Sequence, residues 1–266
     1  MLADLKRALV EAVEDSINGK TSFAIAFSGG VDSSLLAKIC KDLRKEITLL
    51  TVGFPESHDI QFSKRIASKM NLSHNIAELN KTDFQKNLGY IQQKIGCKNI
   101  SHIENCIAYF YIAKLATENN FQLILTANGC DELFCGYNRY RQIYNQGKTT
   151  IMELIDEKIA NELVLMEEIS TMTKEFGVNI KQPFLSQKFI SFAKNIPIDQ
   201  KITSFYDFIR KHILREAALL VDVPQESAMA PKKALQYGSL IHKNLQRRHK
   251  NRITTRSNYI ADDIFL

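Results

Sequence analysis

The stretch Ser28-Gly29-Gly30-Val31-Asp32-Ser33-Ser34 constrains this chain more than any other. Before it runs a short apolar segment, Phe23-Ala-Ile-Ala-Phe27, of a length that suits a buried strand. After it, Leu35, Leu36, Ile39, Cys40 and Leu43 recur at helical spacing. The stretch therefore reads as a glycine-rich turn from a strand end into a helix start. Adjacent glycines let the backbone turn sharply and leave amide N–H groups uncovered. The serine hydroxyls add donors, and the helix start adds unsatisfied N–H groups with a partial positive charge. Such a loop is suited to an anion, most simply a phosphate. A plain turn with an N-cap is the simpler alternative. The Walker pattern does not fit, because no lysine precedes the serine.

The order of elements extends this reading. Residues 1–18 form an amphipathic pattern (Leu2, Leu5, Leu9, Val13, Ile17) that stops at Gly19. Strands are expected at 22–28, 47–52, 73–79 and 121–126. Helices are expected from the loop to about Lys45 and over 58–70, 82–95 and 102–119. Alternating strands and helices predict an α/β fold, a parallel sheet with helices on both faces, and the pattern turns mainly helical after Asp131. Ligands of such sheets sit beyond the carboxyl ends of the strands, so the loops after Phe27, Val52 and Thr126 should converge.

Bulk properties exclude other classes. No apolar run approaches membrane-spanning length, and Met1-Leu-Ala-Asp-Leu-Lys-Arg lacks a secretory apolar region. Five cysteines, with no C-x-x-C pair, predict reduced thiols in the cytoplasm. The net charge of +6 is local: Lys243, Arg247, Arg248, Lys250, Arg252 and Arg256 fall in a stretch without acids. Residues 242–266 thus read as a basic tail on a single domain spanning 1–266. It would be a solvated terminus dispensable for chemistry, or a contact for nucleic acid or another polyanion.

A second motif follows the last expected strand: Thr126-Ala127-Asn128-Gly129-Cys130-Asp131-Glu132-Leu-Phe-Cys-Gly136-Tyr137. Its adjacent carboxylates could hold Mg²⁺ between phosphate oxygens or simply favour a helix start. The first loop matches the S-G-G-x-D-S signature of the ATP pyrophosphatases. Together the two motifs resemble the synthetase domain of asparagine synthetases and the similar β-lactam synthetases. Val178-Asn-Ile-Lys-Gln-Pro-Phe-Leu185, Lys211-His-Ile-Leu-Arg-Glu216 and Pro231-Lys-Lys-Ala-Leu-Gln-Tyr-Gly238 resemble three further family segments, in family order.

The resemblance implies an adenine nucleotide α-hydrolase-like fold. The implied enzyme is ATP-dependent and amide-forming, adenylating a carboxylate and releasing AMP and pyrophosphate. It implies a pyrophosphate cradle of Ser28, Gly29, Gly30, Asp32, Ser33 and Ser34, and Mg²⁺-linked carboxylates Asp32 and Asp131. It places the adenine and ribose cleft at Val52, Gly53, Thr126 and Ala127, and makes Lys232 the catalytic lysine. Four departures matter. Asn128 stands where the family has Glu, and an amide can neither take a proton nor hold ammonium by charge. Ala230 replaces an Arg, and Ser186 replaces an Asp. The glutaminase domain that precedes the synthetase in the family is expected to be absent, so nitrogen would come from ammonia, an amine substrate or a separate glutaminase. Two alternatives are a tRNA-modifying ATP pyrophosphatase using Cys130 or Cys135, and a non-catalytic ATP-binding subunit.

Overall fold

The computed structural model describes residues 1–94, 100–231 and 235–246. Lys232, Cys97 and the basic residues from Arg247 onward lie outside the described residues. Five parallel strands, β1 (Ser22–Ala26), β2 (Glu46–Gly53), β3 (Ser73–Glu78), β4 (Leu123–Leu125) and β5 (Asn179–Lys181), form one sheet in the order β3-β2-β1-β4-β5. The chain builds outward from β1 to β3 through α2 (Val31–Asp42) and α3 (His58–Met70), after an opening helix α1 (Leu2–Ile17). It then crosses back through α4 (Lys81–Lys94) and α5 (Ile100–Glu118) to β4. Right-handed crossovers in opposite directions place α2 and α3 on one face and α5 on the other. The order reverses between β1 and β4, and this is the topological switch point.

The remaining elements are helical apart from β5. They include α6 (Cys130–Leu133), α7 (Asn138–Gln142), α8 (Lys148–Lys174), α9 (Gln187–Lys194), α10 (His212–Leu220), α11 (Gln225–Ala228) and α12 (Leu235–Gly238), with short 3-10 turns between some of them. A single apolar cluster runs through both halves, from Leu5 on α1 to Leu245 near the end of the described chain. Central strands are apolar on both faces: Phe23, Ala24 and Ile25 of β1 are fully buried, as are Leu49 and Leu50 of β2. The sequence does not reveal β5. Of its three residues only Ile180 is buried, too little to carry a strand pattern, and it is recruited by pairing with β4. The first helix ends one residue earlier than expected, with Asn18 in the left-handed region at φ 44° as its cap.

The C-terminal boundary also needs correction. Residues 241–246 are helical, Ile241 is fully buried and Leu245 nearly so. His242 Nδ1 lies 2.6 Å from Oε1 of the buried Glu104. The first residues of the expected tail are thus part of the packed body, because two apolar side chains one turn apart seat them. Replacing Ile241 with Ala should lower unfolding free energy by about 2–4 kcal/mol in urea titration. An unchanged midpoint would show that this segment adds no packing.

Candidate active site

The loop between β1 and α2 is held from several sides. Gly29 has φ +80°, a conformation costly for other residues, and a Cβ there would meet Phe62 and the Ser63 backbone at 3.0–3.3 Å. Its carbonyl accepts from the hydroxyls of Ser34 (3.1 Å) and Ser227 (2.6 Å). Gly30 caps α2, and Ser33 Oγ donates back to the Gly30 carbonyl. The Ser28 and Ser33 hydroxyls lie 3.3 Å apart. The expected cradle therefore divides. Ser28, Asp32 and Ser33 line a cavity of about 610 Å³, whereas Ser34 is fully buried and serves the loop's backbone.

That cavity lies at the switch point, and the three strand-end loops converge on it as expected. Phe27, Val52, Thr126, Ala127, Asn128 and Asp131 line it. Gly53 does not. It is packed under Ser57 and Ser239, where a Cβ would collide with the Ser57 hydroxyl at 2.7 Å. Asp59, at the start of α3, also faces the cavity, and Gly238 abuts its carboxylate so closely that no side chain fits there.

Asp32 and Asp131 are brought together by a residue to which the sequence reading gave no role. Lys211 Nζ is 2.5 Å from Asp32 Oδ2 and 2.7 Å from Asp131 Oδ1. Its side chain is only 2% exposed. Burial alone would lower its pKa, but Asp131 and Asp32 outweigh burial and hold it above the ordinary lysine value. Lys211 belongs to a motif quoted from the sequence, but only the tertiary fold places it against Asp32.

Asn128 makes three side-chain hydrogen bonds. Tyr109 and Thr126 each donate to its Oδ1 at 2.6 Å, and its Nδ2 donates to Glu162 Oε1 at 2.6 Å. A carboxylate, that of Glu162 on α8, thus stands one hydrogen bond from the amide at position 128. The signal was present in the sequence. Lys158, Asn161, Glu162 and Leu165 fall on one helical face and all line the cavity. Glu132, buried beside them, is pushed up to about 8, first by burial and then by Glu162 and Asp131, while the Tyr137 hydroxyl donates to it.

Among the described residues Cys40, Cys106, Cys130 and Cys135 are all buried, and burial pushes Cys135 up to about 12 and Cys130 well above the usual thiol value. Ser186, in place of the family Asp, caps α9 by accepting from the Phe189 N–H. Ala230, in place of the family Arg, gives its carbonyl to Arg215. Among the described residues no helix is long and apolar enough to cross a membrane.

Fold and cavity define an α/β protein with an anion-suited loop and paired carboxylates at the switch point of a parallel sheet. The chain belongs to the asparagine synthase family, whose model matches residues 4–166 and 151–260. It is similar to the "Putative asparagine synthetase (glutamine-hydrolyzing) 1" of Methanocaldococcus jannaschii, at 29% identity over 266 residues, covering 88% of this chain and 49% of that protein. It is also similar to the glutamine-hydrolyzing asparagine synthetase of Rattus norvegicus, at 25% identity, covering 82% of this chain and 40% of that protein. The chain thus spans about half the length of the curated relatives it matches. Among solved structures, the NH3-dependent NAD synthetase of Campylobacter jejuni in complex with nitrate has 19% identity and a TM-score of 0.38, covering 52% of this chain and 61% of that one.

One neighbour of the loop gives a pH prediction. His74 Nε2 lies 2.8 Å from Thr51 Oγ1, whose hydrogen goes to the Phe27 carbonyl at 2.6 Å, so His74 donates from Nε2. Burial, with a smaller contribution from Lys64, lowers its pKa from 6.5 to about 4. Between those values the unfolded chain binds more protons than the folded one, so stability falls as pH drops from about 6.5 to about 4. His74→Gln should flatten that part of a melting-temperature profile. A variant with the same acid slope as the parent would place the sensitivity elsewhere.

Proposed function

We propose that the chain is an ATP-dependent carbon–nitrogen ligase unit that adenylates a small carboxylate, releases pyrophosphate and passes the acyl group to nitrogen. The observation that carries this is the convergence of the Ser28–Ser33 loop, the Asp32–Asp131 pair and the Asn128–Glu162 pair on one cavity. Family membership supports the same chemistry. Adenine and ribose are assigned to the edge formed by Val52, Thr126 and Ala127, and the phosphates to the loop.

The donor set fits a magnesium ion. Asp32 and Asp131 offer two hard carboxylates, and a nucleotide-bound magnesium takes one or two from protein while phosphates and water complete its shell. When bound, that ion supplies charge neutralisation on the phosphates. A substrate carboxylate oxygen attacks the α-phosphorus, and the bond to the departing pyrophosphate breaks. Negative charge grows on the phosphate oxygens, where the Ser28 and Ser33 hydroxyls and the N–H groups opening α2 can receive it. Lys232, by family resemblance, adds a cation. A nitrogen nucleophile then attacks the acyl carbon, AMP leaves, and Glu162 takes the proton. Asn128 fixes Glu162 through its Nδ2–H, so the amide at 128 acts as an orienting group.

This changes the reading of Asn128. Substituting Glu there would set two carboxylates face to face rather than restore a missing one. Ammonia, from solution or from a separate glutaminase, and an amine substrate are all compatible with Glu162 as base. Buried thiols with raised pKa values weigh against sulfur transfer through Cys130 or Cys135.

Product analysis across a carboxylate panel that includes aspartate should give AMP and pyrophosphate in equal amounts. ADP and phosphate would remove the assignment. Asp32→Asn and Asp131→Asn should each abolish carboxylate-dependent ATP–pyrophosphate exchange. Glu162→Gln should retain exchange yet slow amide formation by about two to four orders of magnitude, the usual worth of a positioned base. Equal loss of both steps would make Glu162 structural.

A further inference from the structure

Lys211 contacts both carboxylates, yet it is not among the residues lining the cavity, whereas Asp32 and Asp131 are. The ammonium therefore stands behind the pair, with the cavity in front. It is held there by construction. Arg210 and Lys211 both adopt left-handed φ angles, 54° and 56°, which side-chain-bearing residues seldom take. Arg215, buried on α10, donates to the carbonyls of Ile209 (3.0 Å) and Arg210 (2.8 Å) on one side. On the other it donates to the carbonyls of Ala228 (2.5 Å) and Ala230 (3.0 Å). Arg210 Nε donates to the Gly136 carbonyl at 3.0 Å. Gly136 itself is covered by the Lys211 stem and the Asp131 carboxylate so closely that a Cβ would collide with both.

We propose that Lys211 is the positioning residue of the carboxylate pair. From behind, it aims Asp32 and Asp131 into the cavity and offsets one of their two negative charges. A divalent cation then has too little charge to hold it until a nucleotide brings phosphates, so metal and nucleotide load together. The inference rests on the nucleotide reading above, but its main test does not require turnover.

Manganese titration followed by electron paramagnetic resonance reads it on the nucleotide-free chain. The parent should show weak binding. Lys211→Met, checked as folded by circular dichroism, should bind one manganese ion more than about tenfold more tightly, because a unit charge a few ångströms away has been removed. Adding Asp131→Asn to that variant should abolish the gain. Lys211→Arg keeps the charge and should bind manganese as weakly as the parent. A folded Lys211→Met protein with parental affinity would overturn the proposal.

If Lys211→Met does not fold, lysine ammonium resonances of the parent decide. The slow-exchanging Lys211 signal should persist on addition of magnesium with a non-hydrolysable ATP analogue, because the lysine stays behind the pair. Its loss would overturn the proposal. Calorimetry with the same analogue separates the two claims. No nucleotide binding would count against the proposed function, whereas the manganese arm would still stand or fall alone.

Discussion

The buried contact of Lys211 with Asp32 and Asp131 is the interaction on which the rest of the site depends. It joins three segments distant in the chain: the start of α2, the start of α6 and the turn that opens α10. Two carboxylates held side by side at the cavity wall would repel if left alone, and a buried countercharge removes that obstacle. Such a triad costs much desolvation, and removing one member leaves buried charge without compensation, typically by about 3–5 kcal/mol. The bareness of Gly136 and the backbone contacts of Arg215 follow from the need to hold the ammonium there. The C-terminal half is therefore part of the site rather than an appendage to the sheet.

The sheet supplies the other constraint. Its order reverses between β1 and β4, so the loops leaving these strands diverge and open a cleft between them. The glycine loop takes one side of that cleft and the Thr126–Asp131 segment takes the other. Polar faces of α5 and α8 close it, bringing Tyr109 and Glu162 to Asn128. Ser28 and Ser33 of the loop and the Asn128–Glu162 pair thus line one cavity, as the proposed two successive steps on one acyl group require.

Much of this was legible in the chain itself. The apolar runs of β1, β2 and β4 flanked by helical spacing gave the parallel sheet, and Ser28–Ser34 gave the loop. What remained hidden depends on contacts far apart in sequence. Ser34 looks like a ligand donor in the motif, but its hydroxyl turns to the Gly29 carbonyl. Lys211 is 179 residues from Asp32, and no local pattern reports that distance. Glu162 could have been suspected from the polar positions on one face of α8, although choosing it over Lys158 requires the hydrogen bond to Asn128. The basic run after His242 suggested a solvated tail, and the two apolar residues that seat its first turn carried too little signal against the charge.

A structure with magnesium and a non-hydrolysable ATP analogue would test the central claim most directly. The account predicts the triphosphate over Ser28 and Ser33, the adenine beside Val52, and the metal on the cavity side of Asp32 and Asp131 with Lys211 still behind them. A nucleotide bound elsewhere, or phosphates that leave both carboxylates untouched, would contradict it.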